Sequence, residues 1–151
     1  MPKNSGKLHD INYGDVSGDS VIQKDLNDAV YIGLEFPLKY TPTGFFRRTK
    51  TALQQTSHNI KNLLLTQTEE RLGNPTFGCN LKRILFEPQL EDFEDVVEEE
   101  IRSAISQWLP FVSVENVEAE EEGLNSARVK VTFSINTDPA SLEEVEISLG
   151  I

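Results

Sequence analysis

Near the end of the chain, Val129, Val131, Phe133 and Ile135 alternate strictly with Arg128, Lys130, Thr132 and Ser134. After Asp138-Pro139 a second alternation sets Val145, Ile147 and Leu149 against Glu144, Glu146 and Ser148. Side chains of an extended strand leave it on opposite faces with a period of two, so each run buries one face and wets the other. Phe111 to Glu118 is rich in β-forming residues as well, and Glu120-Glu121-Glu122-Gly123-Leu124-Asn125 reads as a polar turn into the next strand. Three half-wet strands in succession predict a small, mainly antiparallel sheet that needs a helical layer over its apolar face.

The sequence supplies that layer. Phe93, Val96, Val97, Ile101, Ala104, Ile105 and Trp108 recur at three and four residues, and Pro110 marks the stop. Asp92 is the expected N-cap, and Glu94, Asp95, Glu98 and Glu99 sit where a helix dipole favours negative charge. From Thr49 to about Thr66 a second helix is predicted, with Leu53, Ile60, Leu63 and Leu64 on one side. His58 lies in it without another His or a carboxylate at ligand spacing, so it is expected at a partly exposed polar position. Gly73, Pro75, Gly78 and Pro88 punctuate residues 67 to 91, an irregular connector with one short helix over Leu81 to Phe86. Upstream, Val30 to Leu38 is β-prone, with Pro37 marking an edge or strand end, and Thr41-Pro42-Thr43-Gly44 forms a turn. Residues 1 to 30 are rich in Gly, Asp, Asn and Ser and read as an extended arm. The expected fold is therefore α+β: two main helices and a connector packed on a small C-terminal sheet. Residues 1–45 are the arm with its short edge strand, and 46–151 form one domain.

The net charge of −11 is unevenly placed: residues 91 to 151 hold three basic and sixteen acidic side chains, while the rest of the chain is close to balance. A phosphate backbone is repelled by that half and a basic protein surface attracted, so nucleic acid is not an expected partner. No run is long and apolar enough to suggest a membrane partner, and the first residues lack the apolar stretch of a signal peptide. Cys79 is the one cysteine, which excludes an intrachain disulfide and fits a reducing cytoplasm. No phosphate-binding glycine loop, His-rich metal spacing or nucleophile elbow occurs, so neither cofactor nor metal nor catalytic residue is expected. The segment Gly14 to Asp25 imitates a calcium loop, but with Asp15 at position 1 the glycine position holds Ser20 and the closing carboxylate position holds Leu26. The enzymatic alternative rests on Glu87, beside Pro88, with Glu91 or Asp92 as a second carboxylate, as in a muramidase-like peptidoglycan hydrolase.

Ile60-Lys61-Asn62-Leu63-Leu64-Leu65-Thr66, Glu70-Arg71 with Asn74-Pro75-Thr76-Phe77-Gly78, and Leu85-Phe86-Glu87-Pro88 occur in an order and spacing that resemble the baseplate wedge family of contractile tails. That family, also called baseplate assembly protein W or sheath initiator, is shared with the type VI secretion baseplate. The likeness runs from about Phe46 to Ile151, and its motif positions here are Thr66, Glu70, Arg71, Pro75, Phe77 and Gly78. Two positions depart from the pattern: Glu69 stands where the family has Gly before its Glu-Arg pair, and Gln89 where it has Arg after Glu-Pro.

The resemblance implies a non-enzymatic virion tail baseplate part assembled in the host cytoplasm. In it, Leu85, Phe86, Glu87, Pro88 and Gln89 would meet other baseplate wedge subunits. The closing strands, with Val129, Val131, Phe133, Ile135, Val145, Ile147 and Leu149, would meet the first ring of tail sheath subunits. Tail tube or hub proteins are further implied neighbours.

Overall fold

The computed structural model describes residues 31–42, 44–86, 92–123 and 126–150. In chain order it contains β1 (Gly33–Leu34), β2 (Arg48–Thr49), α1 (Ala52–Leu65), α2 (Leu81–Leu85), α3 (Phe93–Trp108), β3 (Val112–Gly123), β4 (Ser126–Ile135) and β5 (Asp138–Leu149). The fold is α+β as the patterning predicts: the helices cover one face of an antiparallel meander ordered β3-β4-β5. The calcium-like segment, Asp15 to Asp25, lies outside the described residues.

Local chemistry starts and stops the helices. At the head of α1 the Thr51 hydroxyl accepts from Gln54 N at 3.2 Å, satisfying one of the free amides of the first turn. Ile60, Leu63 and Leu64 make its buried face. Asp92 does precede α3, but contrary to expectation its side chain makes no capping bond. Glu94 and Asp95 still place negative charge at the positive end of the dipole. Val97, Ile101, Ala104 and Ile105 are buried, and the helix ends before Pro110, whose ring cannot continue the ladder.

β4 is the middle of the meander and of the core. Val129 faces Ala119 and Ile147, and Val131 faces Val117 and Val145. Val129, Val131 and Phe133 have no exposed surface. Truncating Phe133 to Ala would cost about 3–5 kcal/mol through lost burial and the cavity left behind. The α3 helix lies over β3, and α1 over β5.

β3 is longer than the sequence pattern predicts, because Glu120 to Gly123 continue the strand instead of turning. Arg128 stands opposite Glu120 and forms ion pairs with Glu122 and Glu146, so cross-strand cations offset the poor strand preference of consecutive glutamates.

The short β1–β2 pair is a hairpin, in which Gly44 adopts a φ of 84° in the turn. The hairpin is anchored to α1 where the buried Thr49 hydroxyl donates to Gln55 Oε1 at 2.6 Å and His58 Nδ1 donates to the Phe36 carbonyl at 3.0 Å. The expected boundary between residues 45 and 46 thus falls inside one hairpin.

Candidate functional site

The motif positions converge on the corner between α1 and α2. Thr66 Oγ1 donates to the Asn62 carbonyl at 2.6 Å, and the Thr66 carbonyl accepts from Cys79 N at 2.9 Å. Gly78, between them in space, has a φ of 131°, and a Cβ there would stand 2.5 Å from the Thr66 oxygen. Only glycine fits that backbone. Glu70 Oε2 accepts from Gln67 N at 3.0 Å, and Glu69 N donates to the Pro75 carbonyl at 2.7 Å. Glu69, where the family pattern has Gly, holds a φ of 72°.

Arg71 donates to Asn62 Oδ1 at 3.0 Å while its guanidinium lies 4.1 Å over the Phe77 ring, and Phe77 meets Trp108 edge-on at 5.2 Å. Residues 66–80 therefore form a strap tied to both long helices, through Asn62 and Trp108. Within it Cys79 is buried, and burial, assisted by the charge of Glu100, pushes its thiol from 9.0 up to about 12.

The expected wedge contact is only partly in view. Leu85 is half-buried, and Phe86, just past α2, is 51% exposed; Glu87, Pro88 and Gln89 lie outside the described residues. The carboxylates of the enzymatic alternative are not brought together among the described residues, since Glu87 and Glu91 are outside them and Asp92 stands exposed before α3. No cluster of His, Cys, Asp or Glu suited to a metal ion occurs among the described residues, and no helix there is long and apolar enough to cross a membrane.

The seven strand residues expected at a sheath interface all point into the core. Val129, Val131, Phe133, Ile135, Val145, Ile147 and Leu149 are buried under the helices. Val129 to Ile135 belong to β4, which is paired along both sides and presents no edge. Sequence alternation identifies a buried face; it does not say which strand lies outermost.

The outermost strands are β3 and β5, and they differ. The register of β3 breaks between Val114 and Asn116 and again between Glu121 and Gly123. At the first break Arg102, held by Glu98 at 2.6 Å, donates to the Val114 carbonyl at 2.7 Å and lies 3.5 Å from the Glu115 carbonyl. β5 instead pairs without interruption from Glu143 to Leu149, and among the described residues no backbone bond reaches it from anywhere but β4. Ser113 to Gly123 and Glu143 to Leu149 also differ in what covers them, α3 in one case and α1 in the other.

Sequence reasoning passed over the hairpin tip. Tyr40 and Phe46 stack at 4.8 Å and stay exposed with Phe45, while Arg48 sits 3.8 Å over Tyr31. The run Phe45-Phe46-Arg47-Arg48 was the available signal.

A closed helical corner beside a meander whose last strand, among the described residues, pairs on one side only defines a small α+β structural module. Residues 51–140 match the family Baseplate wedge protein gp25, and the chain belongs to that family. Its general role is that of a structural wedge part in a contractile-tail baseplate, which argues against an enzyme.

The fold is similar to a candidate tail lysozyme from Geobacter sulfurreducens, at 17% identity and a TM-score of 0.59 over 67% of this chain and 92% of that one. It is similar to a chain of the anti-feeding prophage baseplate at 14% identity and a TM-score of 0.52, over 77% and 82%. A chain of the type VI secretion baseplate complex gives 10% and 0.54, over 66% and 93%. Among curated proteins none matches. The family match stops before the straight run of β5 and begins after the hairpin.

Proposed function

We propose that this chain joins the bundle of other wedge subunits through Leu85, Phe86, Glu87, Pro88 and Gln89, and that it starts sheath assembly by pairing β5 with a strand from the first ring of sheath subunits. Tail tube or hub proteins are neighbours in the same assembly, which forms in the host cytoplasm. The observation that carries the reading is the outer edge of β5. An edge strand presents a row of donors and acceptors that an added strand satisfies. The apolar side chains of β5 are already seated in the core, so that row is held rigid. The exposed Phe86 supports the wedge contact, since a large ring in water is a natural anchor for a partner.

Removing β5 is a poor test, because Val145, Ile147 and Leu149 complete the core. Amide exchange is better. In the isolated chain, alternate β5 amides should exchange fast, and they should become protected when sheath subunits polymerise on the protein with a shortened lag. Equal exchange before and after assembly would overturn the strand-pairing mechanism. Glu87→Ala should reduce incorporation into baseplates with the fold intact; normal incorporation removes Glu87 from the contact.

A further inference from the structure

The outer face of the meander is striped by charge. β3 contributes Glu118 and Glu120, which stand opposite Lys130 and Arg128 of β4. On the other side Lys130 reaches Glu144 at 3.8 Å and Arg128 reaches Glu146 at 3.4 Å, both on β5. From β3 to β5 the order is acidic, basic, acidic. The inner face buries Val117 and Ala119 of β3, Val129, Val131 and Phe133 of β4, and Val145, Ile147 and Leu149 of β5, the last three beneath α1.

From this stripe we infer that β5 selects its partner by pattern: a strand whose outward side chains are cationic and whose inward side chains are aliphatic, in effect a second β4. The inference rests on the strand-pairing reading proposed above and specifies its partner. Opposite charges directly across a strand pair are favourable and like charges are not. The next strand outward faces Glu144 and Glu146, so it completes the alternation only if it carries Lys or Arg there. Its inward side chains continue the row of Val145, Ile147 and Leu149 under the same helical layer, which asks for Val, Ile or Leu.

Two features keep other arrangements away. Both edges of this chain are acidic, so pairing of one copy's edge with another's is repelled. The β3 edge is interrupted by its two register breaks, and the Arg102 guanidinium already occupies the Val114 carbonyl, so a regular strand finds its straight run on β5.

The test uses the full chain and two synthetic peptides. One copies residues 127–134, with its Arg and Lys; the other has both cations replaced by Glu. Amide exchange of the protein is read with each peptide in excess, at low and at high salt. The cationic peptide should slow exchange of β5 amides by about tenfold more than its acidic counterpart, the effect of two favourable cross-strand pairs. Salt should narrow the gap. In the Glu144→Gln/Glu146→Gln variant the difference between peptides should vanish, while the thermal transition stays close to that of the parent.

Equal protection by both peptides, protection by neither, or protection falling on β3 overturns the inference. The strand-pairing reading is judged separately, by whether sheath subunits protect β5. If they do while the peptides show no preference, only the charge rule fails. If they do not, the mechanism itself is lost.

Discussion

The corner from Thr66 to Asn80 and the edge of β5 are built on opposite terms. The corner closes on itself: the Thr66 and Pro75 carbonyls, the Glu70 carboxylate and the Asn62 and Asn80 side chains all have partners inside the strap, including the Thr68–Asn80 side-chain bond. The edge does not: among the described residues β5 is paired on one side only, with β4. The signature positions of the family resemblance lie in the closed region, so what they record here is the geometry of a turn. The pairing groups of the edge are backbone amides and carbonyls, which any residue supplies, so the edge carries no comparable signature and only its outward Glu144 and Glu146 mark it out.

This contrast predicts that stability and assembly are inseparable at the corner and separable at the edge. Gly78→Ala should give the largest effect. The added Cβ meets the Thr66 carbonyl at 2.5 Å on a backbone with φ of 131°. Strain of that kind is worth roughly 1–3 kcal/mol before the clash is counted, so a total loss of about 3 kcal/mol is expected in urea denaturation. A stability unchanged by the substitution would break the comparison at its strong end.

The buried thiol tests the same corner by pH. Folded Cys79 keeps its proton until about pH 12, whereas in the unfolded chain it ionises from about 9.0. Between those values the unfolded state binds fewer protons, so stability falls as pH rises, by about 1.4 kcal/mol per pH unit from this group alone. Well below pH 9, where the thiol is protonated in both states, the group contributes no slope. Comparing the parent with Cys79→Ala isolates this contribution from the Lys and Tyr titrations in the same range, and a common slope in both proteins would show that the corner is looser than its geometry implies.

At the edge the expected effect on folding is smaller. Glu144→Gln/Glu146→Gln removes two half-exposed ion pairs, worth about 0–1 kcal/mol each at most. Sheath assembly should nevertheless slow, which a lag-time measurement on the folded variant reads directly. A proportionate loss of both properties would erase the distinction between the two regions.

Much of this was legible in the sequence, and for identifiable reasons. Period-two alternation placed β4 and β5, and three-four spacing placed α3, because a buried face must repeat with the geometry of its element. The same signal is blind to strand order. Val129 to Ile135 and Val145 to Leu149 look alike in sequence, yet one run is central and the other an edge. The end of β3 was misread because three glutamates and a glycine in a row mimic a turn, whereas pairing with Ser126 to Arg128 of β4, with an ion pair from Arg128 to Glu122, keeps them extended. Asp92 fits a cap by type and position, but its φ of −118° and ψ of 46° accompany no bond from its carboxylate. The bonds of Arg102 to the β3 backbone left no local trace, since they join residues that sequence periodicity never compares.

The smallest predicted effect lies at the one position where the closed region departs from its family pattern. Glu69 adopts a φ of 72°, in the left-handed region that costs an L-residue roughly 1–2 kcal/mol. Its side chain is exposed, and the bond that fixes the turn runs from its backbone N to the Pro75 carbonyl at 2.7 Å, which any residue can make. Glu69→Gly relieves that strain but adds freedom to the unfolded chain, a penalty of about 0.4–1 kcal/mol. The net expectation is a gain of about 0.5 kcal/mol, a rise in Tm of roughly 1–2 °C for a chain of this size. The Gln67 to Glu70 bond and the Arg71 to Phe77 stacking should persist, so near-ultraviolet signals of Phe77 and Trp108 should not change. A loss of stability would mean that the Glu69 side chain contributes to the strap in a way its exposed position does not account for. The corner would then be finished differently from the glycine version it resembles.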